Sequence, residues 1–253
     1  MTPRKVALVT GGSRGLGKEM ALRIAEYNID VVITYHQNEA AALEVVREIE
    51  KRGVTGHCLQ LDSRDTHSFD SFYTKFGDWL VETRGSKKFD FLVNNAGTGI
   101  QSAIADTTEE QFDEMLHIHL KGVFFFTQKA LPHLNDEGSI INISSGLARF
   151  AFPGYAAYAI MKGAIEVFTR YLAKELGPRG ITANVVAPGA VATDFGGGSN
   201  RDNEQKRNLI SSVTALGRVG EAEDIGGIVA FLCSEDAHWM TAQRLEASGG
   251  TLI

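Results

Sequence analysis

The chain has 253 residues, 43% of them hydrophobic and 22% charged, and a formal net charge of −6. That length suffices for one α/β domain and lies near the limit of a single core. The acid excess argues against nucleic acid and acidic macromolecules as partners, and no apolar run approaches the about 20 residues that cross a bilayer.

The opening MTPRKVALVTGG passes straight into an apolar strand, without the longer apolar core and cleavage site of a signal peptide. Leu16, Met20 and Ile24 then recur at helical spacing. DVVITY is the next strand, followed by the helix NEAAALEVVREIEKRG, with Asn38 as N-cap and Gly53 as stop. TGHCLQLD, FDFLVNNAG, GSIINISS, ITANVVAP and QRLEAS continue the strand series, each short and closed by turn residues. Alternation of this kind predicts a single domain built on a doubly wound parallel sheet with helices on both faces. Thr193–Arg207, TDFGGGSNRDNEQKR, is the least regular stretch and is expected to be a mobile loop, the core of a substrate lid spanning about 193–215. The two cysteines, Cys58 and Cys233, are far apart, and no Cys or His falls at ligand spacing. No metal is expected, and the expected setting is reduced and cytoplasmic.

TGGSRGLG places Gly11, Gly15 and Gly17 between the first strand and the first helix, as G-x-x-x-G-x-G. Glycines there allow a tight turn and close backbone approach, and the helix N-terminus offers free N–H groups to a pyrophosphate. The alternative is a glycine-rich turn that binds nothing. An acid that would select NAD is missing from the end of the second strand, where Tyr35 and His36 stand. Glu39, the nearest acid, is placed to favour the dipole of the next helix. Arg14 is suited to a 2′-phosphate, with His36 assisting, so NADP(H) is the expected cofactor, NAD the alternative.

YAAYAIMKGA carries Tyr158 and Lys162 at i and i+4, one above the other on a helix face. The helix is mostly apolar, so the lysine calls for a reason. Tyr155 has alanine at 159, hence no matching lysine, and is assigned to packing or a pocket wall.

Taken together, these residues resemble the short-chain dehydrogenase/reductases over nearly the whole chain. TGGSRGLG, Asp62 at the end of CLQLD, NNAG, Ser145, Tyr158-x-x-x-Lys162 and PGAVAT fall in that family's order and spacing, as does the tail from LGRVGEAEDIGG onward. Each motif is short, and the ordered set is what carries the resemblance, closest to the 3-oxoacyl-[acyl-carrier-protein] reductase-like members. It implies a Rossmann-type fold and hydride transfer between nicotinamide C4 and a carbonyl or alcohol carbon. Tyr158 becomes the general acid/base, its pKa drawn down by the Lys162 cation. Ser145, thirteen residues earlier, bonds the substrate oxygen. Ser144 points to the opposite face, with a structural role. By the same resemblance Ser13, Leu16, Asn95, Ala96, Gly97, Pro188 and Gly189 belong to the cofactor site. Asp62 and Ser63 meet the adenine edge, and Val191 and Thr193 the carboxamide or phosphates.

Two positions depart from the family pattern. His119 stands where the family has an Asn that completes a catalytic tetrad, and either a proton-relaying or a buried structural role is open to it. Met161 precedes the lysine where the family often carries Ser. Carrier-protein docking in the family uses two basic positions. Arg179 matches one, whereas Asp136 and Glu137 occupy the region of the other and would repel an acidic carrier. A small free carbonyl or alcohol is therefore the preferred substrate, in a pocket walled by Phe150, Phe152, Tyr155 and Phe195. The alternatives are a carrier-bound 3-oxoacyl thioester and, in another class, a dinucleotide-sensing binding module with little turnover. The family resemblance also implies a homotetramer.

Overall fold

The structure, a computed structural model, describes residues 4–253; the first three residues of the opening segment lie outside the described residues. Seven strands form one parallel sheet: β1 (Val6–Val9), β2 (Asp30–Tyr35), β3 (Gly56–Gln60), β4 (Phe89–Asn94), β5 (Leu134–Ile143), β6 (Thr182–Pro188) and β7 (Arg244–Ala247). Their order is β3-β2-β1-β4-β5-β6-β7, so the chain reverses direction across the sheet between β1 and β4. Crevices at such a reversal, outside the carboxyl ends of the strands, are where open α/β sheets bind ligands.

Period-two alternation divides the core into two layers. Ala7 and Val9 face the helices α1 (Gly15–Glu26) and α2 (Glu39–Glu50), and Met20, Ile24, Val45 and Ile49 cover them. Val6 and Leu8 face the other way, onto α3 (Phe69–Arg84), where Phe69, Phe72 and Phe76 are buried. Asn38 caps α2, its side-chain oxygen accepting from Ala41 N at 3.0 Å, and Gly53 follows at φ 82°. These are the start and stop expected from the sequence.

Between β4 and β5 the chain forms α4 (Glu109–Leu116), a π-helical turn over His117–Lys121, and α5 (Gly122–Ala130). The inserted residue of a π turn shifts side chains around the axis, and such turns are frequent at functional sites. Here it carries His119 into the interior, where it is fully buried. The long helix α6 (Ala156–Leu176) follows β5 and buries Ile165, Leu172 and Leu176, as its apolar spacing predicts.

A buried polar chain fixes α6 against the sheet. Asn94 Nδ2 donates to Thr127 Oγ1 and to Asn142 Oδ1 at 2.9 and 2.8 Å. Asn142 Nδ2 donates to Thr169 Oγ1 at 2.9 Å, and that hydroxyl donates to Ile165 O. Every member is satisfied, which favours one register over its neighbours.

Beyond β6 the segment expected to be an irregular loop is largely helical. A 3₁₀ turn over Phe195–Gly198 leads into α7 (Ser199–Asp202) and α8 (Glu204–Ser212). Gly196, Gly197 and Gly198 all take positive φ, so the glycine run bends the chain once and the polar stretch after it winds up. Asn203 caps α8 by accepting from Lys206 N at 2.9 Å. The last helix, α9 (Glu223–Leu232), packs against α1 before β7 closes the sheet.

Candidate active site

A cleft of about 700 Å³ runs along the carboxyl ends of β1, β4, β5 and β6, and the cofactor positions expected from the sequence and the four candidate catalytic residues, of which Tyr158 and Lys162 are expected to meet the cofactor too, all lie along it. At one end is the glycine turn after β1. Gly11 takes φ 67°, and a methyl group added at Gly17 would run into Gly11 O and within 2.5 Å of Asn95 Nδ2. A cradle this close to backbone is what a dinucleotide pyrophosphate requires, with the α1 N-terminus behind it. Ser13, Arg14, Gly15 and Leu16 complete the turn.

NNAG braces this turn from beneath. Thr10 Oγ1 accepts from Asn95 N and Ala96 N, both at 3.0 Å. Asn95 Nδ2 donates to Thr10 O at 2.9 Å and Gly11 O at 3.2 Å. Asn95 thus shapes the cradle through its amide. A methyl group at Gly97 would come within 2.6 Å of His119 Cε1, so the absent side chain makes room for the imidazole. On the far wall, Gly189 N donates to Ala247 O, and Ala192 N donates to Gly220 O. Those bonds hold Pro188, Val191 and Thr193 along the cleft.

At the end of β2 the arrangement differs from expectation. Arg14 is largely exposed and turned toward the post-β6 segment, with Nη1 4.0 Å from Asp194 Oδ2. His36 instead meets Arg64, a residue without a motif: Arg64 Nη2 lies 3.5 Å from His36 Nε2. Asp62 binds the two together, accepting from Arg64 Nε at 2.9 Å and Nη2 at 2.8 Å, with its Oδ2 3.4 Å from His36 Nε2. The Arg64 guanidinium holds the Asp62 carboxyl down at about 2. Ser63 lies beside them in the cleft, whereas Glu39, in the first turn of α2, is not among the residues that line it.

Deeper in, Ser145, Tyr158, Lys162 and His119 come together. Ser144 Oγ donates to Glu166 Oε1 at 2.8 Å, with Lys162 O 3.2 Å away, and this pins the end of β5 and turns Ser145 to the cleft side. Lys162 Nζ donates to Ile143 O at 2.7 Å and sits 5.5 Å from the Tyr158 ring centre. Met161 packs under Tyr158 with Met115, so the departure at 161 fills the pocket floor with apolar volume.

The charge state differs from expectation too. Burial pushes the Tyr158 hydroxyl well above the ordinary tyrosine range, and the Ser145 hydroxyl only partly counters it. The Lys162 ammonium is pushed down to about 7, again by burial. Burial sets both directions: desolvation penalises the phenolate and the ammonium alike, and it outweighs the favour that a charged Lys162 lends the phenolate.

His119 is neutral. Burial, then the Lys162 charge, push its pKa well down, against a weaker pull from the Thr98 carbonyl. Its Nε2 lies 2.7 Å from Thr98 O, and since a carbonyl only accepts, the ring proton is on Nε2. Nδ1 is left as a buried acceptor without a partner among the described residues. The ring stands edge-on to Tyr158, with centres 5.0 Å apart.

Phe150, Phe152, Tyr155 and Phe195 wall the outer cleft, as expected, Phe195 lying 5.7 Å from the Tyr158 ring centre. Lys206, on α8, reaches across to donate to Tyr155 Oη at 3.0 Å and Ser199 Oγ at 2.7 Å. Nothing in the sequence singled out Lys206 or Arg64. The nearest signals were position alone: two residues after Asp62, and the first turn of α8.

A parallel sheet with a glycine cradle at its reversal and a Ser–Tyr–Lys cluster beside it defines a dinucleotide-dependent oxidoreductase fold. A family model described as enoyl-(acyl carrier protein) reductase matches residues 11–251. The 3-oxoacyl-[acyl-carrier-protein] reductase FabG of Staphylococcus aureus is 35% identical over 252 residues, covering 99% of both chains. Among solved structures, the reductase LugOII, described as catalysing keto-reduction at C1 in lugdunomycin biosynthesis, superposes with a TM-score of 0.93 at 39% identity, covering 98% of each chain. The landomycin C-6 ketoreductase LanV, solved with bound NADP and rabelomycin, gives 0.89 at 38% identity over 98% of this chain and 96% of its own. The chain belongs to the short-chain dehydrogenase/reductase family and is an oxidoreductase of that family.

Proposed function

We propose that the protein is an NADP(H)-dependent reductase of a small, free carbonyl compound, or equally the dehydrogenase of the matching secondary alcohol. The observation that carries this reading is the meeting of Tyr158, Ser145 and Lys162 in the same cleft as the glycine cradle. When bound, the nicotinamide supplies or accepts the hydride at its C4 carbon. The raised Tyr158 pKa keeps the phenol protonated at neutral pH, the form that donates to an oxygen gaining negative charge. Ser145 holds that oxygen by a second hydrogen bond. Lys162, poised between charged and neutral near pH 7, holds the ribose and, when charged, favours the phenolate left after donation. In the reverse direction the phenolate must form first, so alcohol oxidation rises with pH.

Several observations support NADP(H). Glu39 stands in the first turn of α2 and does not line the cleft, the end of β2 presents His36 with Arg64, and both LanV and a metagenomic blue fluorescent protein were solved with NADP or NADPH. Gly11, Ser13, Arg14, Gly15, Leu16 and Gly17 take the phosphates, Asp62 and Ser63 the adenine edge, Asn95, Ala96 and Gly97 the floor, and Pro188, Gly189, Val191 and Thr193 the nicotinamide side. Residues 193–215 act as the lid of a single-domain enzyme.

A carrier-bound thioester is disfavoured by Arg179, which donates to Asp136 Oδ1 at 2.7 Å and to the Leu131 and Leu134 carbonyls, and so is spent within the fold. Exposed Phe124 and Phe125 on α5, with Ile160, Val167 and Tyr171 on α6, fit a homotetramer built on these helices. No helix among the described residues is long and apolar enough to cross a membrane. Free thiols at Cys58 and Cys233 agree with a reduced, cytoplasmic setting.

Initial rates of NADPH and NADH consumption over small ketones, quinones, sugar-derived carbonyls and an acetoacetyl thioester test this reading. NADPH turnover with a free ketone supports it. Preference for the thioester would restore the carrier-bound alternative, and tight NADPH binding without turnover would favour a binding module.

A further inference from the structure

We infer that Lys206 forms an anion-recognising subsite at the outer end of the substrate cleft, and that the substrate is an aromatic carbonyl compound bearing an ionised oxygen, a carboxylate or acidic phenol, remote from the reacting carbonyl. The inference deepens the carbonyl-reductase reading and rests on it.

The cations lining the cleft are of two kinds. Arg64 is paired with Asp62, and Arg14 with Asp194, whose carboxylate also holds Arg201. Lys162 and Lys206 have no carboxylate within 4.0 Å among the described residues, and Lys162 belongs to the reacting centre. Lys206 Nζ donates to two neutral hydroxyls, Tyr155 Oη at 3.0 Å and Ser199 Oγ at 2.7 Å. An ammonium has three N–H donors, so one remains, and its charge is uncompensated.

Apolar side chains also line this cleft. Phe150, Phe152, Phe195 and Leu209 line the same region, and Phe195 and Leu209 leave large apolar area exposed at its mouth. A flat apolar body fits between these walls, and an anionic end meets the ammonium where water is partly excluded, which strengthens a charge-assisted bond. Tyr155 and Ser199 fix the ammonium, so little side-chain freedom is lost on binding. Tyr155, assigned from sequence to packing or a pocket wall, thereby also orients Lys206.

The test compares kcat/KM, with NADPH, for 4-acetylbenzoate and 3-acetylbenzoate against their methyl esters. Lys206→Met, Lys206→Gln and Lys206→Arg are assayed beside the wild type. In parallel, binding of 2-naphthoate and 2-naphthamide to the NADPH-loaded protein is measured calorimetrically. The wild type is expected to prefer the acid in at least one pair, and the acid-to-ester ratio to fall about 30-fold in the Met and Gln variants, as for loss of one charge-assisted hydrogen bond. Lys206→Arg should keep most of the preference. A wild type that prefers the esters overturns the inference. So does an unchanged ratio in the Met and Gln variants, including the case where both substrates slow together because Lys206 only latches the lid. If the wild type reduces neither ketone, the reductase reading is what these substrates count against. The naphthoate-to-naphthamide ratio then decides the subsite alone: about 30-fold loss in Lys206→Met supports it, and no change overturns it.

Discussion

Replacing Lys162 by methionine should destroy turnover and stabilise the protein, with a pH signature that identifies the cause. Methionine keeps most of the side-chain volume and removes the buried charge. Burial lowers the Lys162 pKa from 10.5 to about 7, and at 1.36 kcal/mol per unit that shift sets an upper bound of about 5 kcal/mol on the cost of holding the ammonium inside. The hydrogen bond to Ile143 O, lost in the variant, returns about 1.5–3 kcal/mol of this. A net gain of about 2–3 kcal/mol remains at low pH, or about 4–10 °C in Tm. Below pH 7 the lysine is charged in both folded and unfolded chains, and the wild type bears the whole penalty. Between pH 7 and 10.5 the folded lysine is neutral while the unfolded one keeps its proton, so wild-type stability rises with pH relative to the variant. Urea unfolding of both proteins at equal concentration, at pH 6 and pH 9, reads the difference. The variant should be the more stable at pH 6, with the gap closing or reversing by pH 9. A variant less stable at pH 6, or a gap that ignores pH, would refute the claim that Lys162 is held as a destabilising charge for the sake of chemistry.

Other positions give separate expectations. Gly17→Ala forces a methyl group onto Gly11 O and Asn95 Nδ2; NADPH affinity, followed by fluorescence titration, should fall at least about 100-fold, since backbone cannot yield as a side-chain tip can. Arg64→Ala removes the guanidinium beside His36 and frees the Asp62 carboxylate. The kcat/KM for NADPH should drop about 10-fold with that for NADH nearly unchanged, because an anion at this place is lost only for the phosphorylated cofactor. His119→Leu leaves Thr98 O without its buried donor and should cost about 1–3 kcal/mol in urea unfolding.

Most of the frame was legible from sequence because it rests on local rules. All seven strands lie where short β-rich runs end in turn residues, and Asn38 caps the helix it was expected to cap. Tyr158 and Lys162 share a face because helical spacing puts them there, and His119 reaches them, as its place in the family pattern implied. What spacing cannot convey is desolvation. The lowered tyrosine pKa was expected from the pairing of charges, yet burial of both groups reverses its direction. Arg64 and Lys206 were hidden for another reason: their roles depend on which neighbours fold against them, His36 just past the end of β2 and Tyr155 just before α6, about 50 residues from Lys206. The Gly196–Gly198 run reads as loop, and only the Asn203 cap hints at the helix beyond it.

In the proposed reduction Tyr158 delivers the proton to the carbonyl oxygen. The most direct test of that role is the Tyr158→Phe variant, assayed for NADPH-dependent reduction of the best ketone of the panel, with NADPH binding measured on the same preparation. The ring stays, so the contact with His119 and the pocket floor is kept while the hydroxyl goes. The variant should bind NADPH within a few-fold of wild type and turn over about 10³-fold or more slowly, the scale of a lost general acid. A variant that still reduces the ketone at a tenth of the wild-type rate or faster would contradict that role.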